Sequence, residues 1–143
     1  MRWKTIATDE LRNYEAMRAS LESLPNLIER QETAITRIRT SDPGKVVGPG
    51  GGSNDSLLSA IVYRDELKLR LQEAKKTVAA IERSLKSLTD DDALVLDMLF
   101  IHPRKNAIDA VCEALCIEKT TAYERRNKAL ERFICALYGC TIG

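Results

Sequence analysis

Seven apolar residues, Leu67, Leu71, Ala74, Val78, Ile81, Leu85 and Leu88, follow one another at spacings that alternate strictly between four and three, with Glu, Lys and Arg filling most positions between them. That alternation keeps one narrow seam on the same side of a long α-helix, and such a seam is buried only against another helix. A helix running from Asp55 or Ser56 to about Ser87 is therefore predicted, roughly 50 Å long at ~1.5 Å per residue. It constrains the chain to an all-α architecture with at least one partner helix.

The matching seam lies upstream. Leu11, Tyr14, Met17, Leu21 and Leu24 recur every three or four residues after Thr8 or Asp9, either of which can cap a first turn, and Ile28, Ile35 and Ile38 continue the alternation with Gln31 at an intervening seam position. Pro25 interrupts the run. A proline within a helix removes a hydrogen bond and clashes with the preceding turn at a cost of ~3 kcal/mol, so a break or sharp kink is predicted there, with Ser23 available to cap a second helix. Residues 41–54, SDPGKVVGPGGGSN, hold two prolines and five glycines, the composition of a flexible loop. It lacks the Lys-Ser/Thr pair of a phosphate-binding loop, and no strand precedes it. The economical fold is an antiparallel hairpin closed across this loop, and an intermolecular coiled coil is the alternative.

Beyond the hairpin, Thr89 followed by three aspartates is a strong helix start, since a threonine caps well and acidic residues favour the positive end of the helix dipole. One helix is predicted over residues 93–101, ending in His102-Pro103-Arg104-Lys105-Asn106. Residues 107–133 then read as two short helices around a corner. The first carries Ile108, Val111, Cys112 and Leu115 on one face; Cys116-Ile117-Glu118 makes the corner with Ile117 as an apolar plug; the second buries Ala122, Ala129, Leu130 and Phe133. This is helix-turn-helix spacing. Cys116 stands where such corners favour glycine, and either takes a left-handed conformation or imposes a different turn. The division is thus a helical arm over residues 1–87 and a helix-turn-helix domain over 88–143.

The outward face of the last helix presents Lys119, Thr120, Tyr123, Glu124, Arg126 and Asn127, groups suited to base edges and phosphates. Charge limits that reading. Residues 88–143 carry seven cations and nine acids, yet residues 119–132 alone carry five cations and two acids, so a nucleic-acid surface would be narrow.

Residues 88–133 resemble the fourth conserved region of bacterial primary sigma factors. The match rests on Leu88-Thr89-Asp90-Asp91-Asp92 with Val95-Leu96 and Phe100, on Glu113-Ala114-Leu115, and on Lys128-Ala129-Leu130-Glu131-Arg132-Phe133. Across most of its length the chain is similar to small phage and prophage sigma-like proteins related to the RinA and ArpU late-gene transcription regulators, through Leu11-Arg12-Asn13-Tyr14, Arg64-Asp65-Glu66-Leu67-Lys68-Leu69, Ile81-Glu82-Arg83 and Ala136-Leu137-Tyr138-Gly139. The resemblance implies a regulator that binds double-stranded promoter DNA and works with host RNA polymerase. Lys119, Thr120, Tyr123 and Glu124 then take base-facing positions, while Arg104, Lys105, Thr121, Arg126 and Lys128 become phosphate contacts. Arg125 stands where sigma factors usually have an apolar residue. A homodimer held by the arm is a further expectation. A small-terminase-like packaging component and a protein-interaction adaptor with a degenerate helix-turn-helix are the alternatives.

Neither paired carboxylates nor a nucleophile motif points to an enzyme. Cys112, Cys116, Cys135 and Cys140 are expected to be thiols, without a metal or other cofactor. Lone His102 reads as a solvated loop residue. With no apolar run near the ~20 residues of a membrane span and no hydrophobic secretion core, a cytoplasmic protein is expected.

Overall fold

The computed structural model describes residues 2–40 and 52–139, and the fold is all-α. Two long helices come first, α1 (Arg2–Arg39) and α2 (Gly52–Lys86). Then follow α3 (Asp90–Leu96), a π-helical turn (Asp97–Ile101), α4 (Ala107–Leu115) and α5 (Lys119–Tyr138). Both long helices begin earlier than their sequence signals suggested. Helix α1 starts at Arg2, so Thr8 caps nothing and its hydroxyl donates instead to the Lys4 carbonyl one turn back at 2.7 Å. Helix α2 starts at Gly52, inside the segment expected to be loop; the rest of that segment, 41–51, lies outside the described residues.

Pro25 does not end α1, and no second helix begins at Ser23. The N–H that would donate to the Leu21 carbonyl is missing, but Leu24 and Ile28, on either side of the proline, are buried together with Leu67, and Leu71 packs against them. Burying such side chains yields about 1.5–3 kcal/mol each, enough to offset one lost helical bond.

The chain forms two compact units, Arg18–Lys76 and Met1–Met17 with Thr77–Gly143. In the first, α1 and α2 pair antiparallel: Leu24 and Ile28 meet Leu67, and further along α1 the Gln31 side-chain amide donates to the Ala60 carbonyl at 3.1 Å. Gln31 thus occupies its seam position by satisfying a polar group there. Lys68 and Glu32 form an exposed ion pair at 3.3 Å, of little energetic weight.

The second unit joins the start of α1 and the end of α2 to everything downstream. Ala7, Leu11, Tyr14, Val78 and Ile81 are buried, and the Tyr14 hydroxyl donates to Glu82 Oε1 at 2.6 Å. The helix-turn-helix core is Val95, Val111 and Ala122, with Met98, Leu99, Ile108, Cys112, Leu115 and Ile117 packed around it. Leu96, Leu130 and Phe133 are fully buried.

Residues 93–101 are not one regular helix. Thr89 caps α3, its hydroxyl accepting from the Asp92 N–H at 3.3 Å, but from Asp97 onward the bonding shifts to π spacing, ending with the His102 N–H on the Asp97 carbonyl at 2.7 Å. The apolar pattern explains the shift. Val95 and Phe100, and Leu96 and Ile101, are pairs five apart and all four are buried. In an α-helix, positions five apart lie ~140° around the axis, whereas a π turn brings them onto one side.

Candidate nucleic-acid interface

Helices α4 and α5 meet at a corner that satisfies its own backbone. Cys116 takes the left-handed conformation (φ 54°, ψ 49°), and the N–H groups of Cys116 and Ile117 both donate to the Cys112 carbonyl, the latter at 3.1 Å. The bond from the second residue past the helix end, with Ile117 packed into the core beside Cys112, is a Schellman-type stop. Of the two turns the sequence left open, the left-handed one is observed, with a cysteine where glycine would avoid a cost of about 1–2 kcal/mol.

From that corner α5 emerges with Ala122, Ala129, Leu130, Phe133 and Ile134 buried, so its opposite face is fixed. Lys119, Thr120, Thr121, Tyr123, Glu124 and Lys128 are exposed on it, Tyr123 by 44%. Thr121, Glu124 and Lys128 line one shallow recess of about 150 Å³ together with Arg125. Arg104 and Lys105 are exposed on the loop between the π turn and α4. Arg126 departs from the expected outward position: it is half-buried, with its guanidinium 5.9 Å from both the Phe100 and Tyr123 ring centres.

Ion pairs narrow the cationic surface further. Arg125 reaches Asp91 at 3.8 Å, Arg132 reaches fully buried Asp92 at 2.6 Å, and Lys119 lies 3.7 Å from Asp109 on α4. The acidic start of α3, read in the sequence as a helix-dipole feature, thereby anchors α5. It also explains Arg125, whose charge is matched by Asp91 at a partly exposed position rather than buried in an apolar face. Among the cations of α5, Arg126 and Lys128 are left without a carboxylate partner among the described residues.

His102 is exposed as expected, but it is paired. Its Nδ1 lies 2.8 Å from Asp97 and its Nε2 3.3 Å from Glu15 of α1. The hydrogen bond and charge of Asp97, with a smaller contribution from Glu15, raise its pKa above the ordinary 6.5. Arg12 lies on the same stretch of α1, its guanidinium 5.8 Å from the Phe100 ring centre. Local patterning carries no signal for this placement, since Arg12 is simply an exposed residue beside buried Leu11.

Cys112 and Cys135 are half-buried thiols and Cys116 an exposed one, while Cys140 lies outside the described residues. Among the described residues no group of three or more His, Cys, Asp or Glu side chains is placed to hold a metal ion, and no helix is long and apolar enough to cross a membrane.

No curated protein and no solved structure matches the chain. One family profile does, over residues 44–133, from ahead of α2 to Phe133 of α5 and well over half of the sequence. The chain belongs to that family, DUF1492, described as proteins of unknown function.

Proposed function

We propose that this protein is a phage or prophage transcription regulator that binds double-stranded promoter DNA through α4 and α5 and works together with host RNA polymerase. The observation that carries the reading is the corner at Cys116. A self-satisfied, left-handed turn holds α5 against α4 by its small apolar face and leaves Lys119, Thr120, Tyr123 and Glu124 on the first turns of the exposed face. A recognition helix presents its N-terminal residues to the major groove in this way. Lys119 is suited to donate to guanine and Glu124 to accept from a cytosine amino group.

The phosphate contacts are few. Arg104, Lys105, Arg126 and Lys128, with the Thr121 hydroxyl, are the phosphate contacts this reading assigns. Four neutralised phosphates correspond to a salt slope of about −3.6, well short of the 6–10 contacts of a strong autonomous binder. Specific occupancy therefore depends on a second DNA-bound copy or on polymerase.

Selection of bound sequences from random duplex DNA, with and without RNA polymerase, tests the proposal. A motif enriched only with polymerase supports the accessory role, and one enriched without it supports binding by the protein alone. On the selected duplex, a Lys119→Ala/Tyr123→Ala variant loses at least about fivefold in affinity, the ~1–3 kcal/mol of one good base contact. No enriched motif under either condition, or an unchanged footprint with the variant, overturns DNA reading and leaves a protein-binding adaptor as the remaining description.

A further inference from the structure

Five arginine and lysine side chains project from α5, and three of them are held by aspartates. Arg126 has no carboxylate partner among the described residues, and neither does Arg12 on α1. Both guanidinium groups nevertheless converge on one ring, lying 5.8 Å and 5.9 Å from the centre of buried Phe100. Each contact with the ring is attractive, while two cations sharing it repel each other unless an anion lies between them.

The space for one is present. Arg12, Phe100, Tyr123 and Arg126, floored by Leu99 and Ile108, border an open recess of about 270 Å³. Arg126 Nε is buried there with no hydrogen-bond partner among the described residues. Glu15, three residues on along α1, is engaged by His102 at 3.3 Å and ties that turn of α1 to the end of the π turn. Tyr123 belongs both to this recess and to the exposed face of α5, so an anion held here borders the recognition surface.

We propose that Arg12 and Arg126 form a phosphate-binding recess over Phe100. Resting on the DNA-reading function above, its occupant is a backbone phosphate of the duplex contacted by α5. Planar guanidinium forks match phosphate oxygens two at a time, which suits them to this task better than ammonium groups. The long N-terminal helix thereby contributes directly to the nucleic-acid interface.

The test compares the full chain with Arg12→Ala and Arg12→Lys variants, using fluorescence anisotropy on the selected duplex across a salt series. Arg12→Ala binds roughly eightfold more weakly at about 0.1 M salt, with the slope of log K against log salt shallower by about 0.9, as loss of one phosphate contact requires. Arg12→Lys restores most of the slope, which separates loss of charge from loss of fold. Wild-type affinity and slope in Arg12→Ala overturn the proposal while leaving DNA reading intact. A parallel arm follows the arginine Nε–H resonances of the wild-type chain with inorganic phosphate. Saturable shifts at Arg12 and Arg126, without any duplex binding, sustain the phosphate recess and overturn DNA as its source. The absence of both overturns the recess as well.

Discussion

Replacing Arg132 with alanine removes the one hydrogen bond that Asp92 Oδ2 accepts, from Nη1 at 2.6 Å, and leaves a fully buried carboxylate whose Oδ1 already has no partner among the described residues. Breaking a wholly buried ion pair from one side costs about 3–5 kcal/mol. Here the Arg132 side chain is 54% exposed, and the pair borders an open cavity of about 460 Å³ shared with Ser87, Thr89 and Cys135, so water partly replaces the lost guanidinium. A hydrogen bond to a charged group is worth about 1.5–3 kcal/mol, which brings the expected loss to about 2 kcal/mol. Arg125→Ala is the internal control. Its pair with Asp91 is longer, 3.8 Å, with side chains 37% and 55% exposed, and its loss costs less than about 1 kcal/mol. Thermal melting followed by circular dichroism reads the difference, and amide exchange over residues 93–96 reports locally on α3. Arg132→Ala melts about 4–8 °C below wild type, at about 2–4 °C per kcal/mol for a chain of this size. An Asp92→Leu/Arg132→Met pair recovers most of the loss, because neither residue then leaves a buried charge behind. Equal melting of Arg132→Ala and Arg125→Ala, or exchange over α3 unchanged by Arg132→Ala, would refute the claim that this pair anchors α5.

Three further outcomes follow from single residues. Cys116→Gly raises stability by about 0.5–1 kcal/mol in urea titration, since glycine relieves a left-handed strain of about 1–2 kcal/mol at some cost in unfolded-chain entropy, whereas Cys116→Val lowers it. Pro25→Ala, at an exposed position inside α1, restores the donor to the Leu21 carbonyl and raises stability by at most the ~3 kcal/mol that separates the two residues in helix propensity, read as a higher melting temperature; a lower one would mean that α1 is shaped around the proline. The lone histidine titrates above its ordinary 6.5 by NMR, because Asp97 and Glu15 favour its charged form. Its raised folded-state value means that the stability it contributes is fully present below about pH 6.5 and is lost as pH rises through the folded-state pKa. The melting difference between wild type and His102→Ala therefore shrinks from mildly acidic to mildly alkaline solution, and a midpoint at or below 6.5 would contradict the pairing.

Periodicity and capping chemistry made much of this molecule legible in advance. Each predicted apolar seam residue from Leu67 to Leu85 on α2, and Leu88 just past its end, is buried or half-buried, and so is each on α1, Gln31 included. Thr89 caps α3, Ile117 plugs the corner, and Ala122, Ala129, Leu130 and Phe133 face inward. These features depend on which residues share a helix face and which groups satisfy a free backbone end, and both are local properties of the chain. Tertiary structure alone decided the rest. Whether Pro25 ends a helix depends on what Leu24 and Ile28 bury against, and the π turn lets Val95, Leu96, Phe100 and Ile101 all be buried. The candidate site shows the same division. Sequence placed Lys119, Thr120, Tyr123 and Glu124 on an outward face, but which cations keep an unneutralised charge is set by carboxylates 10 to 40 residues away: Asp91 and Asp92 engage Arg125 and Arg132, Asp109 lies beside Lys119, and Arg12 joins Arg126 from another helix. Charge pairing depends on distance in space, and spacing along a helix does not encode it.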